Sequence, residues 1–254
     1  MHSWAWAAAA CKGTSHEKTG IRLQDAFICS TVKSNQQEYF FGIISDGAGS
    51  ADYGGQGASI ICNSISRAIK DHQLTINGLP ANSIIEGWVD KTRDRIFKAS
   101  ENRDLSPRDF AATLICVISN GDESVVIHVG DGCAVLKDVS SASWIAPSWP
   151  EQGEFASTTY FVTDEYGLRL RVNRHLGKIS AIALFSDGLE RLALDFQQIR
   201  PFDGFFDGMT KPLISSNHFG KDKALSIALK NYLNSDVINS RTDDDKSLII
   251  AIRK

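Results

Sequence analysis

Two apolar, β-rich runs, residues 26–32 and 39–45, are separated by only the polar residues 33–38, and so short a connection predicts an antiparallel hairpin. Asp25 stands immediately before the first run and Asp46 immediately after the second. Pairing therefore brings both carboxylates to one end of the same sheet. The same arrangement recurs further along. Asp187 follows the β-rich run 179–186, and Asp244 lies just ahead of the last run, 247–252. These two also share an edge if their strands pair antiparallel.

The rest of the pattern alternates hairpins with helices. Ala58, Ile61, Cys62, Ile65 and Ile69 fall at helical spacing within residues 56–72, and Ile84, Ile85, Trp88, Val89, Ile96 and Phe97 predict a second amphipathic helix. Residues 111–119, 124–129 and 133–136 read as a β-meander, with Asn120-Gly121 as one turn. Residues 158–163 form a further candidate strand, 189–194 a short helix and 223–233 a longer one. Without regular βαβ alternation, the order predicts an α+β fold with antiparallel sheets. No internal repeat or linker divides residues 1–254, so one domain is expected. Residues 140–157, with Pro147, Trp149 and Pro150, read as a long loop and a candidate lid or substrate loop.

Composition narrows the function. A formal charge of −3 and a pI near 6.1 argue against a duplex-binding module, which needs a basic face. Cys11, Cys29, Cys62, Cys116 and Cys133 are odd in number and widely spaced, as expected of reduced thiols rather than a disulfide frame or zinc site. No apolar run approaches the roughly 18 residues a membrane span needs. Residues 4–10 are apolar but lack the basic flank of a secretory signal. The expectation is a cytoplasmic protein with no membrane or nucleic-acid partner.

Aspartate occurs at a strand end or beside glycine in Gln24-Asp25, Ser45-Asp46-Gly47, Gly130-Asp131-Gly132 and Ser186-Asp187-Gly188, and Thr242-Asp243-Asp244-Asp245-Lys246 precedes the last strand. One Asp-Gly pair is an ordinary turn signal. Several that converge are different, because crowded carboxylates repel unless cations neutralise them. Hard divalent metals with oxygen ligands fit such a cluster, and the lack of histidine or cysteine at these places disfavours zinc.

The ordered series Gln24-Asp25-Ala26, Asp46-Gly47-Ala48-Gly49, Phe110-Ala111-Ala112-Thr113-Leu114, Gly130-Asp131-Gly132, Ser186-Asp187-Gly188-Leu189 and Asp244-Asp245-Lys246-Ser247 resembles the successive motifs of PP2C-type protein phosphatases. Gly13-Thr14-Ser15-His16, Arg108-Asp109-Phe110-Ala111 and Glu190-Arg191-Leu192-Ala193-Leu194 add a likeness to the small bacterial, PphC-like branch. The resemblance implies a four-layer αββα sandwich of two antiparallel sheets flanked by helices. It implies two Mg²⁺ or Mn²⁺ ions at one end of the sheets. Asp46 would bridge both, the Gly47 carbonyl would ligate one, and Asp187 and Asp244 would complete the other's shell. Asp25 would hold metal-bound waters, and Asp131 matches the position of a weaker third metal. Water activated between the ions would attack phosphorus in line.

The sequence departs from the family at three places. Gln24 stands where glutamate is common, Ala48 where some members carry the histidine proposed as general acid, and Gly20 where the phosphate-gripping arginine is expected. His16, nine residues before Asp25 in a polar loop, is the candidate proton donor and phosphate ligand. Arg22, shifted in register, is the candidate substrate-phosphate ligand. His128 reads as a core histidine, Trp4, Trp6 and Trp88 as core, Arg108 and Asp109 as turn residues, and Asp243 and Asp245 as a solvated loop around Asp244.

The expected function is hydrolysis of phosphoserine and phosphothreonine on proteins by a monomer, with Asp46, Asp187 and His16 as the catalytic set, opposing a bacterial kinase. The alternatives are a catalytically weak phosphatase-fold regulator that binds a phosphoprotein or kinase, and a phosphatase of small phosphorylated metabolites.

Overall fold

Trp4–Cys11 forms a strand, β1, although five of its eight residues are alanine, the best helix former. Packing overrides propensity here. Trp4, Trp6 and Ala8 lie in one apolar cluster, and Ala5, Ala7, Ala9 and Cys11 lie in another. That period of two is the signature of a strand buried on both faces. The computed structural model describes residues 3–35, 37–76, 78–151, 159–165 and 167–254.

After β1 come α1 (Thr14–Thr19), β2 (Ala26–Ser34), β3 (Gln37–Ser45), α2 (Gly54–Thr75) and α3 (Asn82–Glu101). A 3-10 turn, Pro107–Phe110, leads into β4 (Leu114–Ser119), β5 (Glu123–Val129), β6 (Cys133–Asp138) and β7 (Trp144–Ser148). Next are β8 (Arg171–Leu176), β9 (Ile179–Phe185), α4 (Glu190–Ala193), β10 (Leu194–Asp195) and β11 (Arg200–Pro201). The chain continues through α5 (Asp203–Ser215), β12 (Gly220–Lys221), α6 (Lys223–Leu233), α7 (Asp236–Asn239) and β13 (Lys246–Arg253).

One sheet runs β12-β1-β13-β9-β6-β7 and the other β2-β3-β4-β5-β8, while β10 and β11 form a separate ribbon. The two large sheets meet through Trp4, Phe40, Ile115, Leu136, Leu184 and Ile249, all almost fully buried. Ile61, Ile65, Ile85 and Val89 of α2 and α3 pack on the outer face of the second sheet. Phe206 and Leu213 of α5 and Leu233 of α6 cover the outer face of the first. The layers are therefore helix, sheet, sheet, helix, and the α+β sandwich is as expected. No helix among the described residues is long and apolar enough to cross a membrane.

Some local expectations need correction. The 140–157 segment is not all loop, because Trp144–Ser148 is β7. Its Pro147 is tolerated because β7 is the edge of its sheet and pairs only with β6; residues 152–158 lie outside the described ones. The strand expected at 158–163 does not form over 159–163, where Thr159 holds only a bridge and residues 162 and 163 lie in a turn. Val162 instead donates a single bond to the Ala112 carbonyl, 2.9 Å. The sheets are also not wholly antiparallel. β12, only two residues long, runs parallel to β1 at its otherwise open edge.

Register decides where the aspartates go. Ala26 pairs with Ser45, so Asp25 and Asp46 leave the sheet side by side. Phe185 pairs with both Leu248 and Cys133, so the turns carrying Asp187, Asp244 and Asp131 leave the other sheet at one end. The Gly130–Gly132 turn crosses from β5 in one sheet to β6 in the other, which brings the two groups together.

Candidate metal centre

Carboxylate oxygens of Asp46, Asp131 and Asp187 lie within 4.8 Å of one another. Burial, followed by the charges of Asp187 and Asp25, pushes the Asp46 carboxyl well above the ordinary carboxylate range. Burial, then Asp131 and Asp244, do the same to Asp187. Asp131 is raised as well, chiefly by burial. Three hard oxygen donors at this spacing, each disfavouring its own charge, fit a divalent cation. One oxygen of Asp187, Oδ1, is buried without a hydrogen-bond partner, as is Oδ1 of Asp25. Unsatisfied buried acceptors facing a carboxylate cluster are what a bound cation and its waters would satisfy.

Each carboxylate is set by its neighbours. The Asp46 amide donates to Thr113 Oγ1 at 3.0 Å and its carbonyl accepts from the Thr113 amide at 2.9 Å. Next to it, Gly47 bridges to Ala112 and runs so close to α2 that a Cβ would stand 2.3 Å from the Gly54 carbonyl carbon. Only glycine leaves that backbone carbonyl where it is. Asp25, 8% exposed, accepts from Ser186 Oγ at 2.8 Å, and Ser186 Oγ in turn accepts from the Ser247 amide at 2.9 Å. Burial raises the Asp25 carboxyl to about 6 against the two serines' opposing effect.

The Asp131 turn is held from several sides. Gly130 and Gly132 have φ of 95° and 73°, which glycine adopts without strain. Arg171 Nη2 and the Glu151 amide donate to the Gly130 carbonyl at 3.1 and 3.2 Å. Glu190 Oε1 accepts from the Gly132 amide at 2.7 Å. His128 is fully buried, with Nδ1 2.9 Å from Ser148 Oγ and Nε2 3.4 Å from the Asp131 carbonyl; burial drives it down to about 3. It is the satisfied core histidine the sequence suggested.

Not every candidate joins the tight cluster. Asp244 acts electrostatically on Asp187 and Asp131, yet stands outside the 4.8 Å group, with Oδ1 accepting from the Asp245 amide at 2.8 Å. Arg22 is exposed in the segment ahead of β2. His16 sits in α1, not in a loop, and its Nδ1 lies 3.0 Å from Asp245 Oδ1. Ala48 packs with Ala51, Ala111 and Phe161 in a small apolar cluster.

Asp245 overturns its reading as a solvated loop residue. It is 2% exposed and accepts from the amides of Gly13 and Gln24, both at 2.7 Å, besides meeting His16. Those amides lie far away in sequence, so the charge run hid a residue that pins the approach to Asp25. Lys246 was missed for the same reason. It is fully buried, with Nζ 2.9 Å from Asn239 Oδ1 and 3.2 Å from the Asp244 carbonyl. Ser186 and Glu190 carried no distinguishing signal beyond their places beside Asp187.

Comparison with known proteins bears on the family and the fold. The serine/threonine-protein phosphatase 3 of Escherichia coli (strain K12) is 33% identical over 256 residues, covering 98% of each chain. PppA of Pseudomonas aeruginosa has a similar structure, with a TM-score of 0.65 at 15% identity over the whole of both chains. The catalytic domain of PstP, solved with two manganese ions, superposes with a TM-score of 0.63 at 13% identity, over 100% of this chain and 99% of that one. The two structural likenesses speak to the fold. The family model for protein phosphatase 2C matches residues 12–234, and with a relative of this identity along nearly the whole length, the chain belongs to the protein phosphatase 2C family.

Proposed function

We propose that this chain is a metal-dependent phosphatase acting on phosphoserine and phosphothreonine of proteins, with its ions held at the Asp46–Asp131–Asp187 cluster. The observation that carries the reading is the approach of these three carboxylates to within 4.8 Å in a member of a metal-dependent family. Two Mg²⁺ or Mn²⁺ ions are assigned to Asp46, the Gly47 carbonyl, Asp187 and Asp244, with Asp25 behind them and a third ion at Asp131. When bound, such ions supply Lewis acidity at the phosphoryl group and a water of lowered pKa.

The chain's own residues do the rest. Asp25, anchored by Ser186, orients solvent at the floor of the site. His16 is assigned the proton transfer to the leaving group, because its pairing with Asp245 fixes Nδ1 and leaves Nε2 for exchange. Arg22 is assigned to the substrate phosphate. The enzyme would work in the cytoplasm as a monomer, opposing a cognate kinase.

The test is hydrolysis of a phosphothreonine peptide with Mn²⁺, with Mg²⁺ and with chelator, beside Asp46→Asn and Asp187→Asn. Metal-dependent turnover that falls by at least about 100-fold in both variants is expected. Folded protein without turnover under any metal would sink the enzyme reading and favour a phosphoprotein-binding regulator. Faster turnover of small phosphorylated metabolites than of phosphopeptides would overturn the substrate class.

A further inference from the structure

We infer that Glu190 is a positioning residue of the metal centre: by holding the Gly132 amide, its carboxylate fixes where Asp131 stands relative to Asp187. The inference rests on the reading of the Asp46–Asp131–Asp187 cluster as the metal site. Glu190 opens α4, directly after the 3-10 turn Asp187–Leu189 that carries Asp187. Its Oε1 lies 2.7 Å from the amide nitrogen of Gly132, the residue next to Asp131. One short hydrogen bond thus ties the turn after β9 to the turn that crosses between the sheets.

Three features separate this contact from ordinary packing. Glu190 is only 6% exposed, and a glutamate is rarely taken out of water without a definite partner. The other holds on the turn grip carbonyl oxygens: Arg171 and the Glu151 amide at Gly130, and His128 at Asp131. Glu190 grips an amide, and so opposes rotation of the Asp131–Gly132 peptide plane. Finally, the turn is closely packed at Gly132, where a Cβ would stand 2.6 Å from Ile115 Cδ1 and 2.7 Å from the Phe185 carbonyl oxygen, so the Glu190 carboxylate meets the amide of a residue with little room to move. Loss of the carboxylate frees the Asp131 side chain to drift out of the cluster while both sheets remain in place.

Through this hydrogen bond the Glu190 side chain would act on Asp131 as the outer partners of metal ligands generally do, by fixing the ligand's place.

The experiment measures Mn²⁺ binding directly, by titration calorimetry and by the rise in melting temperature with Mn²⁺, for Glu190→Ala, Glu190→Gln, Glu190→Asp and Asp46→Asn. The Mn²⁺ concentration for half-maximal peptide turnover is recorded in parallel. Glu190→Ala and Glu190→Asp, the latter too short to reach Gly132, are expected to weaken binding of the Mn²⁺ ion assigned to Asp131 by roughly 10-fold or more. Glu190→Gln keeps an acceptor oxygen and should stay within about 3-fold of the parent. A purely structural role would lower the melting temperature of the metal-free protein while leaving the Mn²⁺ midpoint in place, and that result overturns the inference. If Glu190→Ala does not fold, the Gln and Asp variants decide: equal weakening in both, or in neither, overturns it. Asp46→Asn separates the two readings. Binding lost there and retained in the Glu190 variants refutes the positioning role alone, whereas binding unaffected in Asp46→Asn refutes the metal centre itself.

Discussion

Replacing Asp245 by asparagine tests the most economical part of this structure, because the change is isosteric and its neighbour Asp243 provides a control. Oδ1 of Asp245 accepts from the Gly13 amide at 2.7 Å and meets His16 at 3.0 Å, while Oδ2 accepts from the Gln24 amide at 2.7 Å. Asparagine has one carbonyl oxygen. If it faces Gly13, its NH₂ group opposes the Gln24 amide, donor against donor. One charge-assisted bond is lost, worth about 1.5–3 kcal/mol, and the surviving bond and the histidine contact are both weakened. Loss of the negative charge relieves some repulsion at Asp25, which offsets part of this. The net cost is about 3 kcal/mol, within the range for breaking a buried charged contact. For a chain of this size that corresponds to a fall in melting temperature of roughly 6–12 °C. Asp243 is exposed and engages its neighbours through its backbone carbonyl, so Asp243→Asn should melt within about 2 °C of the parent. Calorimetry in chelator compares the two. Equal melting temperatures for Asp243→Asn and Asp245→Asn would show that the buried staple contributes nothing, and the reasoning would be wrong.

Two further outcomes follow from the same geometry. Burial raises Asp25 from 3.8 to about 6 and Glu190 from 4.5 to about 7, so the metal-free fold holds more protons than the unfolded chain across those windows. Buried His128, held down to about 3, supplies the opposite slope up to the ordinary value of 6.5, so stability should fall clearly as pH rises from about 6.5 to about 8, and Mn²⁺ should remove that fall. The depressed carboxylates Asp138, Asp207 and Asp222 act below 3.8 and leave this window untouched. A melting temperature in chelator that climbed between those pH values would contradict the assignment. On α2, a Cβ at Gly57 would stand 1.9 Å from the Phe110 carbonyl oxygen, so Gly57→Ala should cost about 2–3 kcal/mol in denaturant unfolding. Gly87→Ala, in α3 with open space around it, should stabilise by about 0.5–1 kcal/mol, and similar effects at the two sites would refute the close approach of α2 to the turn before β4.

Elements whose pattern matches their environment were legible in the sequence. The helical stripe from Ala58 to Ile69 became α2, and the run before Asn120-Gly121 became β4. β1 was not legible, because alanine gives no period of its own and only the facing sheet on one side and α5 and α6 on the other select a strand. Nor was α5, whose Pro212 falls near its C-terminal end and obscures the helical pattern. In the site, Asp25, Asp46, Asp131 and Asp187 could be named from their positions at strand ends. Asp244 and Asp245 could not be told apart by composition, and their roles differ because one backbone step points one carboxylate towards the cluster's margin and the other towards the Gly13 and Gln24 amides.

By itself, then, the sequence determined the kind of chemistry and the ends of the strands that would carry it. Apolar periodicity and aspartate-glycine punctuation are local, and local rules suffice to read them. Which carboxylates meet was decided only by tertiary structure. Strand register brings Asp25 beside Asp46, and the β5–β6 turn carries Asp131 across from one sheet to the other. Contacts such as Glu190 with Gly132 join residues 58 positions apart. Such a bond leaves no mark on either residue's neighbours in sequence, because its geometry exists only once the two sheets have packed.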